Sequence, residues 1–124
     1  MIKMTAAGMV IAALMGSAAF AETFEVQMLN QGSDGVRMVF EPAFVQAAPS
    51  DTIRFVATDR GHNAEINGDM LPEDAEAFAG RINEEIEVIL DVEGVYGVIC
   101  KPHFAMGMVM TIVVGDVDID VRVV

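Results

Sequence analysis

Four side chains in this sequence carry donor atoms suited to a metal ion. Three of them stand on one short segment in the pattern Cys100-x-x-His103-x4-Met108. A proline and a glycine inside this segment permit tight bends, so the thiol, the imidazole and the thioether can face a common point. His62, the other of the two histidines, follows an Asp-Arg-Gly segment far upstream. The four residues therefore predict one metal site that depends on the fold for its completion.

Two imidazoles, one thiolate and a weak axial thioether form the donor set of blue-copper electron-transfer sites. Thiolate and thioether suit Cu(I), imidazole suits both oxidation states, and zinc sites usually take four Cys/His donors or keep an open water position. The donor set therefore favours copper and one-electron transfer. The alternative is a copper-trafficking or storage protein that holds Cu(I). A metal-free interaction domain stays open, whereas the two histidines are too few for a multicopper oxidase fragment.

Each donor also has a simpler interpretation. Cys100 is the only cysteine, so it cannot form an internal disulfide, and isolated cysteines are commonly small buried core residues or pair with another chain. Its position three residues before His103 favours metal binding. Taken alone, His62 is as compatible with an ordinary loop histidine as with a metal ligand. Met106 and Met108 are compatible with ordinary packing residues.

Short β-type runs surround these residues, which predicts an all-β fold. They cover residues 24–29, 38–40, 44–47, 52–55, 86–90, 95–100 and 109–114. Seven or eight short strands at this spacing indicate a β-sandwich, and Glu41-Pro42 favours an edge or corner. One short helix is predicted over Pro72 to Gly80, with proline near its start and acids in its first turn. Loops converge at the ends of a sandwich, so His62 can reach the Cys100 segment.

The first 21 residues have the pattern of an export signal. Lys3 precedes an uncharged stretch, and small residues lead to Ala19-Phe20-Ala21. We expect cleavage after Ala21, with an uncleaved anchor as the alternative, and residues 22–124 as a single periplasmic domain that does not insert into the membrane.

The chain is strongly acidic, with a formal net charge of −12 that cleavage makes more negative by removing Lys3. A polyanionic surface repels nucleic acid and favours basic protein partners or solubility alone. We therefore expect no nucleic-acid binding, and a monomer.

The segment from Cys100 to Met108, preceded by Tyr96-Gly97-Val98-Ile99, resembles the copper loop of the cupredoxins. Its particular residues, from Lys101 to Met108, resemble those of the pseudoazurins. Most of residues 22–116 share this resemblance. The similar segments are residues 28–30, 38–42, 61–63, 69–73 and 81–84.

The resemblance implies a Greek-key cupredoxin-like sandwich with one type 1 copper ion. The implied ligands are His62, Cys100, His103 and, axially, Met108. Asn63 and Pro102 are implied to lie just outside the ligands, with Asn63 supporting the thiolate through a hydrogen bond. The implied function is a one-electron carrier rather than an enzyme, and the implied partners are a c-type cytochrome or a copper nitrite reductase.

Two features depart from the pseudoazurin pattern. The sequence stops at Val124, so we expect the usual C-terminal helical extension to be missing or replaced, and Lys101 is the only lysine after the predicted export signal. Docking through a ring of lysines is therefore doubtful. Apolar residues near His103 could either form a docking surface or pack the loop; they are Met38, Pro102, Phe104, Ala105 and Met106.

Overall fold

The structure, a computed structural model, describes residues 20–117 and consists of eight β-strands and one short 3₁₀ helix. The strands are β1 (Thr23–Gln31), β2 (Arg37–Glu41), β3 (Phe44–Ala47), β4 (Asp51–Val56), β5 (Glu65–Ile66), β6 (Ile86–Leu90), β7 (Gly94–Ile99) and β8 (Val109–Val114). The 3₁₀ helix covers Lys101–Met106. The prediction of an all-β fold is confirmed. Only the two-residue β5 was not predicted, because so short a strand has no periodicity of its own.

The strands form two four-stranded sheets, in the orders β2-β1-β4-β6 and β3-β8-β7-β5. The β1–β4 and β3–β8 pairs are parallel, and the other pairs are antiparallel. The chain crosses from β2 to β3 through Glu41-Pro42, and both strands lie at sheet edges. Proline cannot donate a backbone hydrogen bond, so the predicted edge position is confirmed.

The core lies between the sheets. Alternate residues of each strand point inward, as β4 illustrates: Ile53 and Phe55 are buried, whereas Thr52 and Arg54 are partly exposed. Phe55 contacts Phe40 edge-on, with ring centroids 6.1 Å apart. Cys100 and Met108 belong to the same buried cluster. The end of the core is therefore also the floor of the predicted metal site.

The prediction of a helix over Pro72 to Gly80 is wrong, because the structure has no helix there. Asp74 has a left-handed backbone with φ of 70°, and the end of the segment runs extended beside β5. There the Ile66 N–H donates to the Phe78 carbonyl at 2.9 Å, and the Gly80 N–H donates to the Ala64 carbonyl at 2.9 Å. A helix of about nine residues is marginal by itself. Pairing with β5 and packing of Phe78 against the core therefore override its local signals.

Two predictions concern residues that the structure does not describe. The predicted export signal comprises residues 1–21, of which 1–19 lie outside the described range. The prediction that the C-terminal helical extension is missing or replaced concerns residues 118–124, which also lie outside it. Among residues 20–117, none of the helical structure is long and apolar enough to cross a membrane.

Candidate metal centre

Three of the predicted donors meet at one end of the sandwich. The Sγ atom of Cys100 lies 3.7 Å from Nδ1 of His62 and 3.6 Å from Nδ1 of His103. The donor atoms of all three lie within 4.8 Å of one another. Among residues 20–117, this is the one group of three or more His, Cys, Asp or Glu side chains close enough to share an ion.

The spacing of these donors fits a bound first-row metal ion. Metal–thiolate and metal–imidazole bonds, taking zinc as the guide, are about 2.3 and 2.0 Å long. At tetrahedral or trigonal angles such bonds separate sulfur from nitrogen by about 3.5–3.7 Å. The two sulfur–nitrogen distances in the structure, 3.7 and 3.6 Å, lie in this range.

A hydrogen bond from β1 fixes the orientation of the His62 ring. Nε2 of His62 lies 2.8 Å from Oδ1 of Asn30, the next-to-last residue of β1. An amide oxygen can only accept, so Nε2 carries the proton and Nδ1 is left with a free lone pair toward Cys100. Asp59 in turn accepts the Asn30 N–H at 2.8 Å. The strand end therefore selects the imidazole tautomer that a metal requires.

The surroundings of His62 also favour its neutral form. The side chain is fully buried, and this burial, together with the nearby His103, lowers the pKa of His62 below its ordinary value. Asp59 opposes the shift only in part. Because a metal binds neutral imidazole, the low pKa reduces competition from protons.

Hydrogen bonds between two turns, one at residues 61–62 and one at residues 81–84, hold the His62 backbone. The Asn83 N–H donates to the His62 carbonyl at 2.8 Å, and the Gly61 N–H donates to Oδ1 of Asn83 at 2.7 Å. Asn83 has a left-handed backbone with φ of 68°, a conformation that asparagine tolerates better than most residues. The loop is thus tied at its backbone as well as at its ring.

The 3₁₀ helix returns the chain from Cys100 to Met108. The Cys100 N–H donates to the Met108 carbonyl at 3.1 Å, and the Met108 N–H donates to the His103 carbonyl at 3.2 Å. Gly107, with φ of 88°, closes the helix in a left-handed conformation suited to glycine. Met108 is fully buried beneath the loop.

Asn63 connects the two halves of the site. Its side-chain oxygen accepts the Lys101 N–H at 2.7 Å, and its amide nitrogen donates to Glu65 at 2.8 Å and to the Gly80 carbonyl at 3.0 Å. Both side-chain N–H groups are thereby engaged. A hydrogen bond from Asn63 to the thiol is not among the bonds of residues 20–117, so the support that Asn63 gives to Cys100 is indirect.

The surface around His103 is apolar. His103 is partly exposed, whereas His62 is buried, and Phe104 and Met106 expose 51% and 59% of their surface. Pro102 and Ala105 are exposed as well, while Met38 packs against the core. Because these four side chains are exposed, they do not pack the loop, which favours the predicted docking surface for them. For Met38 the alternative prediction, packing, is favoured.

Comparisons with known proteins agree with this geometry. Residues 26–115 match the model of copper-binding proteins of the plastocyanin/azurin family. The pseudoazurin of Paracoccus pantotrophus is 53% identical over 107 residues, which are 85% of this chain and 73% of the relative. The chain belongs to the pseudoazurins.

Solved pseudoazurin structures share its fold. One from Sinorhizobium is 50% identical, with a TM-score of 0.75 over 77% of this chain and 75% of that chain. Another, from Methylobacterium extorquens, is 44% identical, with a TM-score of 0.74 over 81% of this chain and 80% of that one. Family membership and the donor cluster together establish a type 1 copper electron carrier with one copper ion.

Sequence reasoning assigned no role to Asn30, Glu65 or Asn83, although each holds part of the site. Asn30 and Asn83 fall in segments that resemble the pseudoazurins, but nothing in their spacing from His62 indicates a contact. The pairing of β1 with β4 brings Asn30 to the His62 ring, and the turn at residues 81–84 brings Asn83 to the His62 backbone.

Proposed function

We propose that the mature chain carries single electrons in the periplasm and binds copper through His62, Cys100, His103 and Met108, without transforming a substrate. The convergence of Sγ of Cys100 with two Nδ1 atoms within 4.8 Å carries this proposal. The bound copper supplies the redox chemistry by alternating between Cu(I) and Cu(II).

The protein's own contribution is to hold the donors still. His62 is fixed by Asn30, and Cys100 and Met108 are joined by a backbone hydrogen bond at 3.1 Å. Donors held by such contacts have little room to rearrange when the charge of the site changes, and small rearrangement favours fast electron exchange. Burial of His62 and Met108 keeps water away from one side of the site.

Electrons enter and leave through His103 in this proposal. His103 is partly exposed, whereas His62 is buried. The residues that follow His103 on the loop include the exposed apolar side chains Phe104 and Met106. An apolar surface lets a partner approach closely, while a small contact area keeps the encounter transient. Both properties suit a carrier that must bind and leave quickly.

The charges near the site suggest the kind of partner. Among residues 20–117 only Arg54 forms ion pairs, and three of the other four cations lie on the loops that form the site. Arg60 and Arg81 belong to the two turns that hold His62, and Lys101 follows Cys100, whereas Arg37 begins β2. Three cations therefore lie at the metal end of the molecule, which is the end that holds His62, Cys100 and His103.

This charge distribution fits a redox partner with an acidic docking face. The partners that the pseudoazurin resemblance implies, a copper nitrite reductase or a c-type cytochrome, can dock with acidic side chains facing these three cations, although the whole chain has a net charge of −12. Residues 1–21 act as the cleaved export signal, which places the carrier in the periplasm.

Electron self-exchange between oxidised and reduced copies, measured by NMR line broadening, tests the proposed route. Met106→Glu places a charge on the apolar surface, and we expect self-exchange to slow by about tenfold or more, since like charges then face each other in the encounter. Ile89→Glu is the matched control, because Ile89 is 64% exposed on β6. Equal slowing by both substitutions would contradict the His103 route.

A further inference from the structure

Glu65 is bonded to the residue that joins the two metal-binding loops. Its carboxylate accepts a hydrogen bond from Nδ2 of Asn63 at 2.8 Å, and the oxygen of the same amide accepts the Lys101 N–H at 2.7 Å. Asn63 is 3% exposed, so its amide has little access to water. A line of contacts thus runs from Glu65 through Asn63 to the peptide after Cys100.

The backbone fixes where the Glu65 carboxylate can lie. Glu65 pairs with Ile99, the residue before Cys100, and on its other side forms a bridge with Ala79. With a neighbour on each side, the short strand β5 cannot shift without disturbing β7. The carboxylate is therefore held beside Asn63 by pairing on both edges.

The hydrogen-bond pattern around Asn63 depends on this carboxylate. An amide side chain can be turned by 180° at little cost unless its partners distinguish oxygen from nitrogen. Here Glu65 and the Gly80 carbonyl both require a donor, which leaves the oxygen for the Lys101 N–H. A bond to a charged acceptor is also stronger than one between neutral groups.

We propose that Glu65 is a positioning residue of the copper centre, acting through Asn63 to hold the peptide after Cys100 and to place a negative charge near the site. This role rests on the proposed function of Cys100 and His62 as ligands. A nearby negative charge stabilises the more positive oxidised state, so Glu65 lowers the reduction potential.

Two substitutions separate the hydrogen bond from the charge. Glu65→Gln keeps an acceptor for Asn63 and removes the charge, whereas Glu65→Ala removes both. Hydrogen exchange of the Lys101 amide, measured by NMR on the copper-free protein, reports the bond. We expect exchange about tenfold faster in Glu65→Ala and close to wild type in Glu65→Gln. Voltammetry of the copper-loaded proteins reports the charge, and both variants should have a higher potential than the wild type.

Glu84→Gln is the control, because Glu84 is exposed near the same end of the molecule and its carboxylate accepts the Arg81 N–H instead. It should leave Lys101 exchange unchanged and move the potential less. Unchanged Lys101 exchange in Glu65→Ala, or an equal potential change in Glu84→Gln, would overturn the proposed role. A wild-type protein that bound no copper would instead overturn the proposed function, while the exchange experiment would still decide whether Glu65 holds the Lys101 peptide.

Discussion

At the scale of single residues, the two histidines differ in a way that suits one electron-transfer site. His62 is buried and held at Nε2 by Asn30, whereas His103 is partly exposed in a ring of apolar side chains. One imidazole therefore anchors the site in the protein and the other faces the outside. The same residue type has two roles because the fold gives each ring a different environment.

The Asn30–His62 bond should contribute to copper affinity. Asn30→Ala leaves Nε2 without its acceptor at 2.8 Å, so the ring can rotate and adopt the other tautomer. Loss of such a contact outside the ligands typically costs about 10- to 100-fold in metal affinity. Competition with a chromophoric chelator measures it. Asn67→Ala is the control, since Asn67 accepts the N–H of Asp69 within its own turn; similar losses in both variants would argue against a specific role for Asn30.

Met108 and Met106 form a matched pair for testing the axial ligand. Met108 is fully buried beneath the loop, whereas Met106 is 59% exposed. We expect Met108→Gln to retain copper and change the reduction potential, because the axial bond is the weakest, and Met106→Gln to leave the potential close to wild type. Voltammetry of both variants decides; the reverse result would make the axial assignment wrong.

The meeting of three donors could be predicted, since Cys100 and His103 share one short segment and only one other histidine exists. Their supporting contacts could not. The Asn30–His62 bond joins residues 32 positions apart, and such a contact depends on strand pairing rather than on any local pattern.

At the scale of elements, β7 controls the site because its last residue precedes Cys100. Tyr96 anchors this strand: its ring is buried, and its hydroxyl donates to the Val92 carbonyl at 2.6 Å across the turn from β6. The position of the thiol therefore depends on a turn at the opposite end of the strand.

Tyr96→Phe should destabilise the fold by about 1 kcal/mol at neutral pH through loss of this hydrogen bond. Burial raises the pKa of Tyr96 above its usual value, so the unfolded state ionises first as pH rises. The contribution of the neutral hydroxyl is then complete below about pH 10 and declines above it. Urea unfolding at neutral and alkaline pH measures both effects. A wild type and a Tyr96→Phe variant that lose stability equally above pH 10 would contradict the role of Tyr96.

Strand predictions succeeded where β-branched and other apolar residues form a nearly continuous run, as in β6 and β8, whose predicted bounds match the structure. The segment from Pro72 to Gly80 shows the limit of local signals. Its proline, acids and glycine are typical of a short helix, but the edge of β5 and the core pocket for Phe78 offer more contacts. Such tertiary contacts are not visible in a nine-residue pattern.

At the scale of the whole molecule, net charge alone gives an incomplete picture of docking. The sequence, with a net charge of −12 and Lys101 as its one lysine beyond residue 21, argues against a basic docking surface. The fold brings Arg60 and Arg81, on two separate turns, beside His62 and leaves Arg54 paired with Glu25 and Glu87 on the sheet. Charge segregation of this kind depends on topology, which composition does not contain.

Arg60→Ala should slow oxidation of the reduced protein by hexacyanoferrate(III), because a cation beside His62 attracts this small trivalent anion. At about 10 Å in water, one charge acting on a trivalent ion is worth about 1 kcal/mol, so we expect a change of a few-fold at low ionic strength. Stopped-flow mixing measures it, and the effect should vanish near 1 M salt.

Arg54→Ala removes the same charge from the face of the sheet. Its partner Glu25 lies five residues before Asn30 on β1, roughly 17 Å along the strand. This control should change the rate less than Arg60→Ala does. Equal slowing would mean that net charge, and not its placement at the metal end, governs the encounter.

The visible absorption spectrum of the purified protein after addition of Cu(II) tests the central claim most directly. Ligation of copper by the Cys100 thiolate together with His62 and His103 predicts an intense charge-transfer band that disappears on reduction and returns on oxidation. A colourless protein that retains only Cu(I), or one that holds no stoichiometric copper, would contradict the account.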